Sequence, residues 1–314
     1  MDTTAIVIEA PFQLGLRRLA LDSSDSADEV VVEVAWSGIS TGTERLLWSG
    51  RMPPFPGLSY PLVPGYEAVG RVVAAAPASA ALLGRSVYVP GANCYGAVRG
   101  LFGGSARRLV TQGAKVVAIA DELGEQGTLL ALAATAHHAL AAPGGRLPDL
   151  IVGHGVLGRL LARLCLALGG EPPVVWERLD TRRDGACGYT VVDPASDTRR
   201  DYACIVDASG DAGLLDTLVA CLAPRGEIVL AGFYAERVAF DFPPAFIKEL
   251  RLRVAAEWQR HDLDAVSGLL DAGRLSLEGL ITHRAPASDA SAAYPAAFED
   301  PACLKMVLDW RNVA

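Results

Sequence analysis

Leu150-Ile-Val-Gly-His-Gly-Val-Leu-Gly158 decides how this chain is read. Three apolar, strand-forming residues run into Gly153-His154-Gly155-Val156-Leu157-Gly158, a G-x-G-x-x-G that opens an amphipathic segment ending at Gly169. In that segment Leu160, Leu161, Leu164 and Leu168 fall on one helical face. The glycine spacing alone is weak; placed between a strand and a helix it has a specific physical meaning. Gly153 permits the tight turn. Gly155 lets the backbone of the loop, with Val156 and Leu157, come close to a pyrophosphate. Gly158 lets the helix pack against the strand. The helix start then presents free N–H groups and the positive end of its dipole to phosphate oxygens.

Downstream the strand–helix rhythm continues. Val174–Trp176, Tyr189–Val192, Cys204–Val206, Glu227–Ala231 and Leu252–Ala256 read as strands, with a helix at Leu214–Ala223. Such alternation implies a parallel sheet covered on both faces, the Rossmann arrangement. Glu177 ends the second strand, where an acidic side chain would accept hydrogen bonds from ribose hydroxyls and repel a 2′-phosphate. That favours NAD over NADP; Arg178, Arg182 and Arg183 just beyond argue the other way. Asp207-Ala-Ser209-Gly210 and Gly232-Phe233-Tyr234 follow later strands, so Ser209, Gly210 and Phe233 are expected along the cofactor unless they form plain turns. His154 reads as a variable loop position rather than a catalyst.

Working back toward the N-terminus, Ala5–Ile8, Val30–Val34, Ala68–Val73 and Ser86–Val89 are short β-branched runs separated by Gly, Pro and Ser. Between them Met52–Gly65 carries Pro53, Pro54, Pro56, Pro61 and Pro64, which excludes a helix or a central strand there. The tail mixes a helix at Asp262–Ala272, a short strand near Leu280-Ile281 and a helix near Ser291–Phe298. The 314 residues are 51% hydrophobic, enough for a large core and about two domains. A net charge of −8 argues against nucleic acid or anionic membranes as partners through bulk charge. No basic start leads into a long apolar run, and no stretch suits a bilayer span. The six cysteines form no C-x-x-C pair and mostly sit in apolar contexts, as expected of buried thiols in a reducing, cytoplasmic setting. Oligomeric state is not legible; a homodimer stays open.

The order of parts resembles the medium-chain dehydrogenase/reductase superfamily. Gly65-Tyr66-Glu67-Ala-Val-Gly70 is similar to its Gly-His-Glu segment and Ser37-Gly-Ile-Ser40 to its Gly-x-Cys segment, with the glycine-rich loop following after Ala134-Thr135-Ala136. The resemblance covers the whole chain. It implies an α/β fold in which a doubly wound Rossmann domain, expected at 121–260, is inserted into a GroES-like β-rich catalytic domain built from 1–120 and 261–314. It also implies a catalytic zinc, and here the chain departs. The ligand positions hold Ser40, Tyr66 and Ala131, and the four-cysteine lobe is reduced to Cys94. Zinc prefers thiolate, imidazole or carboxylate, so no metal is expected. His137 and His138 are poor substitutes, because adjacent helical residues point to different sides.

A closer likeness lies in longer strings: Ser40-Thr-Gly-Thr-Glu-Arg-Leu-Leu-Trp-Ser-Gly-Arg-Met52, Tyr60-Pro-Leu-Val-Pro-Gly-Tyr-Glu67, Leu230-Ala-Gly-Phe-Tyr234, Pro244-Ala-Phe246 and Ala255-Ala-Glu-Trp258. These resemble the bacteriochlorophyllide dehydrogenases, a zinc-free branch that uses NAD to oxidise the ring-A hydroxyethyl group of a chlorin to acetyl. The resemblance implies a chlorin substrate; composition and periodicity show none. For such chemistry Ser40 and Tyr66 would hydrogen-bond the alcohol, with Tyr66 as proton acceptor if Glu67 or a cation tunes it, and Thr43 and Glu44 as further polar candidates. Alternatively both residues fill the space of a lost metal. Trp48, Met52, Phe55 and Tyr60 would wall a flat macrocycle, or else pack a second core under the proline-rich loop. Competing readings are a zinc-free quinone- or enoyl-type reductase and a non-catalytic protein that binds pigment and NAD.

Overall fold

The computed structural model describes residues 1–23, 26–54, 56–141 and 145–313. In chain order the strands are β1 (Asp2–Ala10), β2 (Gln13–Ala20), β3 (Glu29–Ile39), β4 (Leu62–Val63), β5 (Ala68–Ala75), β6 (Ser86–Val89), β7 (Arg99–Gly100), β8 (Arg108–Gln112) and β9 (Val117–Ala118), with helix α1 (Thr43–Ser49) after β3. Helix α2 (Leu130–Leu140) leads into β10 (Leu150–Val152), α3 (Val156–Ala167), β11 (Val174–Trp176), β12 (Thr190–Val192), β13 (Tyr202–Asp207), α4 (Leu215–Cys221), β14 (Leu222–Leu230), α5 (Phe242–Ile247), β15 (Arg251–Val254) and α6 (Arg260–Asp271). The chain ends with β16 (His283–Pro286), α7 (Ala290–Glu299) and β17 (Met306–Asp309).

Two compact units form. One contains Met1–Ala131 and Leu280–Ala314, the other Leu132–Gly279. The sequence placed these divisions at 120 and 260; helix α6 lies with the second unit because Asp262 in its first turn is bonded to His137 and His138 on α2.

The first unit is two sheets. In the larger, the order is β16-β17-β3-β5-β6-β9, with β8 also on β3; the smaller runs β2-β1-β4-β7. Alternation along β3 turns Val30, Val32 and Val34 inward, and together with Ile6, Val72, Val87, Leu109 and Trp310 they fill the core. The proline-rich stretch contains a strand after all: β4 sits between β1 and β7. It escapes the exclusion because Leu62 and Val63 alone join the ladder while Pro61 and Pro64 flank it, so no proline is asked for a sheet hydrogen bond. The strand expected near Leu280-Ile281 instead begins at His283; Leu280 and Ile281 are buried as loop.

The second unit is a six-stranded, wholly parallel sheet, β12-β11-β10-β13-β14-β15. Strand order reverses between β10 and β13, so a crevice opens beyond the carboxyl ends of those two strands. Leu160, Leu161 and Leu164 of α3 are fully buried, whereas Leu168 is exposed. Gly169 follows at φ +86°, the left-handed turn that stops the helix.

Candidate functional site

The glycine-rich loop takes its shape from its own backbone. Gly153 sits at φ +95°, a conformation that glycine alone adopts freely. A Cβ on Gly158 would collide with the Gly153 carbonyl, whereas one on Gly155 would meet no protein atom. Gly155 caps α3 and no side chain bonds the helix start, so its first N–H groups are left for a ligand. Val156 is buried against the sheet and Leu157 partly exposed. Glu177 lies beneath the loop, nearly buried, with Oε2 accepting from the His154 N–H at 3.0 Å and Oε1 from the Leu179 N–H at 2.9 Å. Arg178 is exposed and lies 3.9 Å from Asp211, while Arg183 is committed to Asp193 at 2.6 Å. Ser209 packs beside Gly153, and Gly210 beside the Phe233 carbonyl, so these residues gather at the carboxyl ends of β10, β13 and β14. Phe233 is exposed there. Tyr234 turns back and donates to Asp207 Oδ2 at 2.8 Å.

His154 is packed into the loop rather than left free on it. It is fully buried, its Nδ1 lies 2.6 Å from the Arg182 carbonyl and its Nε2 2.9 Å from the Tyr189 hydroxyl. A carbonyl only accepts, so Nδ1 carries the proton and Tyr189 donates to Nε2. Burial pushes the imidazole down to about 4, which keeps it neutral. Arg159, one residue past the glycine motif, is also buried and donates to the carbonyls of His154, Arg182, Asp184 and Gly185. Together they tie the loop to 182–185.

In the first unit, sheet register assembles a second cluster. β3 and β5 pair antiparallel with Ser37 opposite Ala68, and Gly38 N–H donates to the Glu67 carbonyl at 2.9 Å. Ser40 and Tyr66 therefore face one another where the pair ends, and their hydroxyls lie 2.7 Å apart. β17 pairs with β3 at Met306 opposite Ile39, which brings Lys305 alongside. Lys305 forms an ion pair with Glu67, both side chains almost wholly buried. Gly38 is a glycine because a Cβ there would strike the Glu67 carboxylate and the Lys305 stem. The Thr43 N–H is 3.4 Å from Ser40 Oγ. Glu44, in the first turn of α1, accepts from the Ser40 N–H at 3.0 Å and from the Tyr294 hydroxyl at 2.6 Å. Burial raises Glu44 to about 7. Burial, and then the charge of Glu67, push the Tyr66 phenol above the ordinary tyrosine range.

The donor set does not fit a catalytic zinc. Ser40 and Tyr66 offer neutral hydroxyls already bonded to each other, Ala131 offers nothing, and the nearby carboxylate of Glu67 is paired with Lys305. Trp48, Met52 and Tyr60 do come together, around Ile8, Leu47, Leu62 and Leu101 with Phe102 beside them. Trp48 also stacks edge-on against Phe12, ring centroids 4.7 Å apart, and Tyr60 donates to the Leu47 carbonyl at 2.5 Å. Phe55 lies outside the described residues. Lys305, Tyr294, Arg159 and the tie from His154 were missed in the sequence; the one visible signal was a lysine inside the apolar run Cys303–Leu308.

With this geometry in hand, similarity to known proteins is specific. A 2-desacetyl-2-hydroxyethyl bacteriochlorophyllide A dehydrogenase of Cereibacter sphaeroides is 59% identical over the full length of both chains. Its namesake from Rhodobacter capsulatus is 56% identical over 99% of each. The chain belongs to this dehydrogenase family. It is an oxidoreductase of the alcohol dehydrogenase type. Residues 26–135 match the alcohol dehydrogenase GroES-like domain. Among solved structures, an alcohol dehydrogenase from Escherichia coli CFT073 complexed with cofactor NADH aligns with a TM-score of 0.84 at 23% identity, covering 98% of this chain and 99% of that one. This likeness supports the two-part fold read from the sequence. Among the described residues no helix is long and apolar enough to cross a membrane.

Proposed function

We propose that the chain oxidises the ring-A hydroxyethyl group of a bacteriochlorophyllide to acetyl, with NAD as hydride acceptor and without a catalytic metal. The observation that carries the substrate is the 59% full-length identity to a relative named for it. The loop at Gly153–Gly158 suits a dinucleotide, since the open side of Gly155 and the uncapped start of α3 fit a pyrophosphate. Glu177, with lone pairs beyond those its backbone donors use, would take the ribose hydroxyls and disfavour a 2′-phosphate. Ser209, Gly210 and Phe233 would line the nicotinamide end. When bound, the nicotinamide supplies the hydride acceptor.

The alcohol proton needs a path in the absence of zinc. Tyr66 as an ionised acceptor fits poorly: burial and Glu67 both oppose the phenolate, and the buried Lys305 is paired with Glu67. A neutral relay fits better. Tyr66 and Ser40 hold the alcohol oxygen, and as hydride leaves, the alcohol proton passes to one hydroxyl while that hydroxyl gives its own proton to the next. Partly exposed Thr43 would extend the chain to solvent, where water takes up the proton released on oxidation, and Glu44 and Glu67 position it. The ketone product is stabilised by conjugation with the macrocycle, which lowers the demand on the relay. Trp48, Met52 and Tyr60 are the proposed apolar wall for that macrocycle.

The test is turnover. Purified, metal-analysed protein is incubated with hydroxyethyl bacteriochlorophyllide and NAD or NADP, following the pigment band and the reduced cofactor. Conversion that prefers NAD and survives chelation supports the proposal. Tight pigment binding without turnover overturns it in favour of a carrier, and reduction of quinones or enones with NADPH in favour of the reductase reading. Tyr66→Phe is expected to lower kcat with little change in KM; unchanged kcat in folded protein removes Tyr66 from the relay.

A further inference from the structure

Five histidines occur in the chain, and three of them converge on one carboxylate. His137 and His138 lie in the last turn of α2, and His261 and Asp262 in the first turn of α6. The sequence argument that adjacent helical residues diverge fails here: His137 Nδ1 is 2.8 Å from Asp262 Oδ1 and His138 Nδ1 is 2.8 Å from Asp262 Oδ2. His261 Nε2 reaches to 3.6 Å of Oδ1. The Asp262 side chain is wholly buried, and its Oδ2 also accepts the Gln259 N–H at 2.9 Å. Burial alone would raise its carboxyl, but the hydrogen bonds from Gln259, His137 and His138 outweigh that and hold it below the usual range. The group is an anion facing imidazoles.

A helix cap accounts for Asp262 and Gln259, and a tie between α2 and α6 accounts for one histidine. Neither accounts for a third imidazole brought to the same carboxylate with its ring open to solvent. We propose that His138, His261 and Asp262 bind a divalent transition metal of the zinc class, with His137 hydrogen-bonded to the ligating carboxylate. The candidate ligand atoms of these three residues all lie within 4.8 Å of one another. Tetrahedral bonds of about 2.0–2.1 Å put ligand atoms roughly 3.3 Å apart. His138 Nδ1 lies 2.8 Å from Oδ2, whereas His261 Nε2 lies 3.6 Å from the other oxygen, so rotation of the exposed His261 ring is what completes the set on one carboxylate oxygen. Two imidazoles and one carboxylate suit zinc and its neighbours rather than calcium or magnesium. The metal takes the place of the proton on His138 Nδ1, and the His137 N–H on Oδ1 fixes the carboxylate as outer-sphere partners do. All four residues belong to the second unit, and the role of the site is to clamp α2 to α6. It does not rest on the proposed reaction.

The full chain is stripped with chelator and titrated with zinc by calorimetry, and with cobalt by visible absorption. One equivalent bound with about micromolar affinity or tighter is expected. His261→Ala should cost on the order of tenfold or more in affinity, without changing the metal-free melting temperature. His283→Ala and Cys187→Ser, which alter other potential ligands, should bind as the parent does. The absence of saturable binding overturns the proposal, as does binding that survives His261→Ala or is lost in Cys187→Ser.

Discussion

Glu44→Gln gives a sharp test of the buried network around Ser40. The Glu44 carboxyl accepts from the Tyr294 hydroxyl and from the Ser40 N–H; a glutamine keeps the Ser40 bond through its oxygen and turns its amide N–H to the tyrosine oxygen, as a protonated carboxyl would turn its O–H. The variant is thus a fixed copy of the protonated state. Burial, the largest influence, raises wild-type Glu44 from 4.5 to about 7. The folded state therefore holds a proton that the unfolded state releases between those values. Its stabilising effect is full below 4.5 and is lost as pH rises through 7. At about 1.4 kcal/mol per unit, integration from pH 5 to 8 gives a loss of roughly 2 to 3 kcal/mol in wild type that the variant does not share. Denaturant unfolding of both proteins at half-unit steps, read by a probe in the first unit such as Trp310, measures it. The two should be nearly equal at pH 5, with the variant the more stable by roughly 2 kcal/mol at pH 8. A stability difference that stays flat across this range would show that Glu44 is already ionised at pH 5, and the account of the network would fail.

Three further outcomes separate roles that a single assay would merge. Gly155→Ala adds a Cβ that touches no protein atom, so the melting temperature should hold while NAD affinity, followed by NADH fluorescence, falls about tenfold or more, about 1.4 kcal/mol; unchanged affinity would move the pyrophosphate off this loop. Lys305→Met leaves the Glu67 carboxylate buried and unpaired and should cost roughly 3–5 kcal/mol in unfolding free energy, most of it recovered by adding Glu67→Gln. Trp48→Ala should weaken chlorin binding, measured by pigment fluorescence, far more than NAD binding; equal weakening of both would assign Trp48 to packing against Phe12 and Phe298 alone.

Where one face of an element is buried, the pattern that folds it is written in neighbouring residues. The valines of β3, the leucines of α3 and the apolar run before Gly153 could each be read in place, because side-chain period and burial are local properties. The turn at Gly153 was readable for the same reason. The failures share a different cause. β4 was hidden because proline content describes a whole stretch while only Leu62 and Val63 pair. His137 and His138 were thought divergent because a helical wheel says where Cβ atoms point, not where a ring two torsions further out can reach.

The candidate chemistry was legible only as a list of residue types, and its electrostatics not at all. Ser40, Tyr66, Glu67 and Lys305 are joined by the register of three strands, one of which, β17, comes from the far end of the chain. Nothing near Tyr66 in sequence reveals that Glu67 is buried against Lys305. Burial of the Tyr66 ring opposes its ionisation most, the charge of Glu67 next, and the titrating carboxyl of Glu44 adds to both. In the proposed reaction the proton then moves through hydroxyls that never carry charge for long, which favours a substrate whose ketone is already stabilised by conjugation.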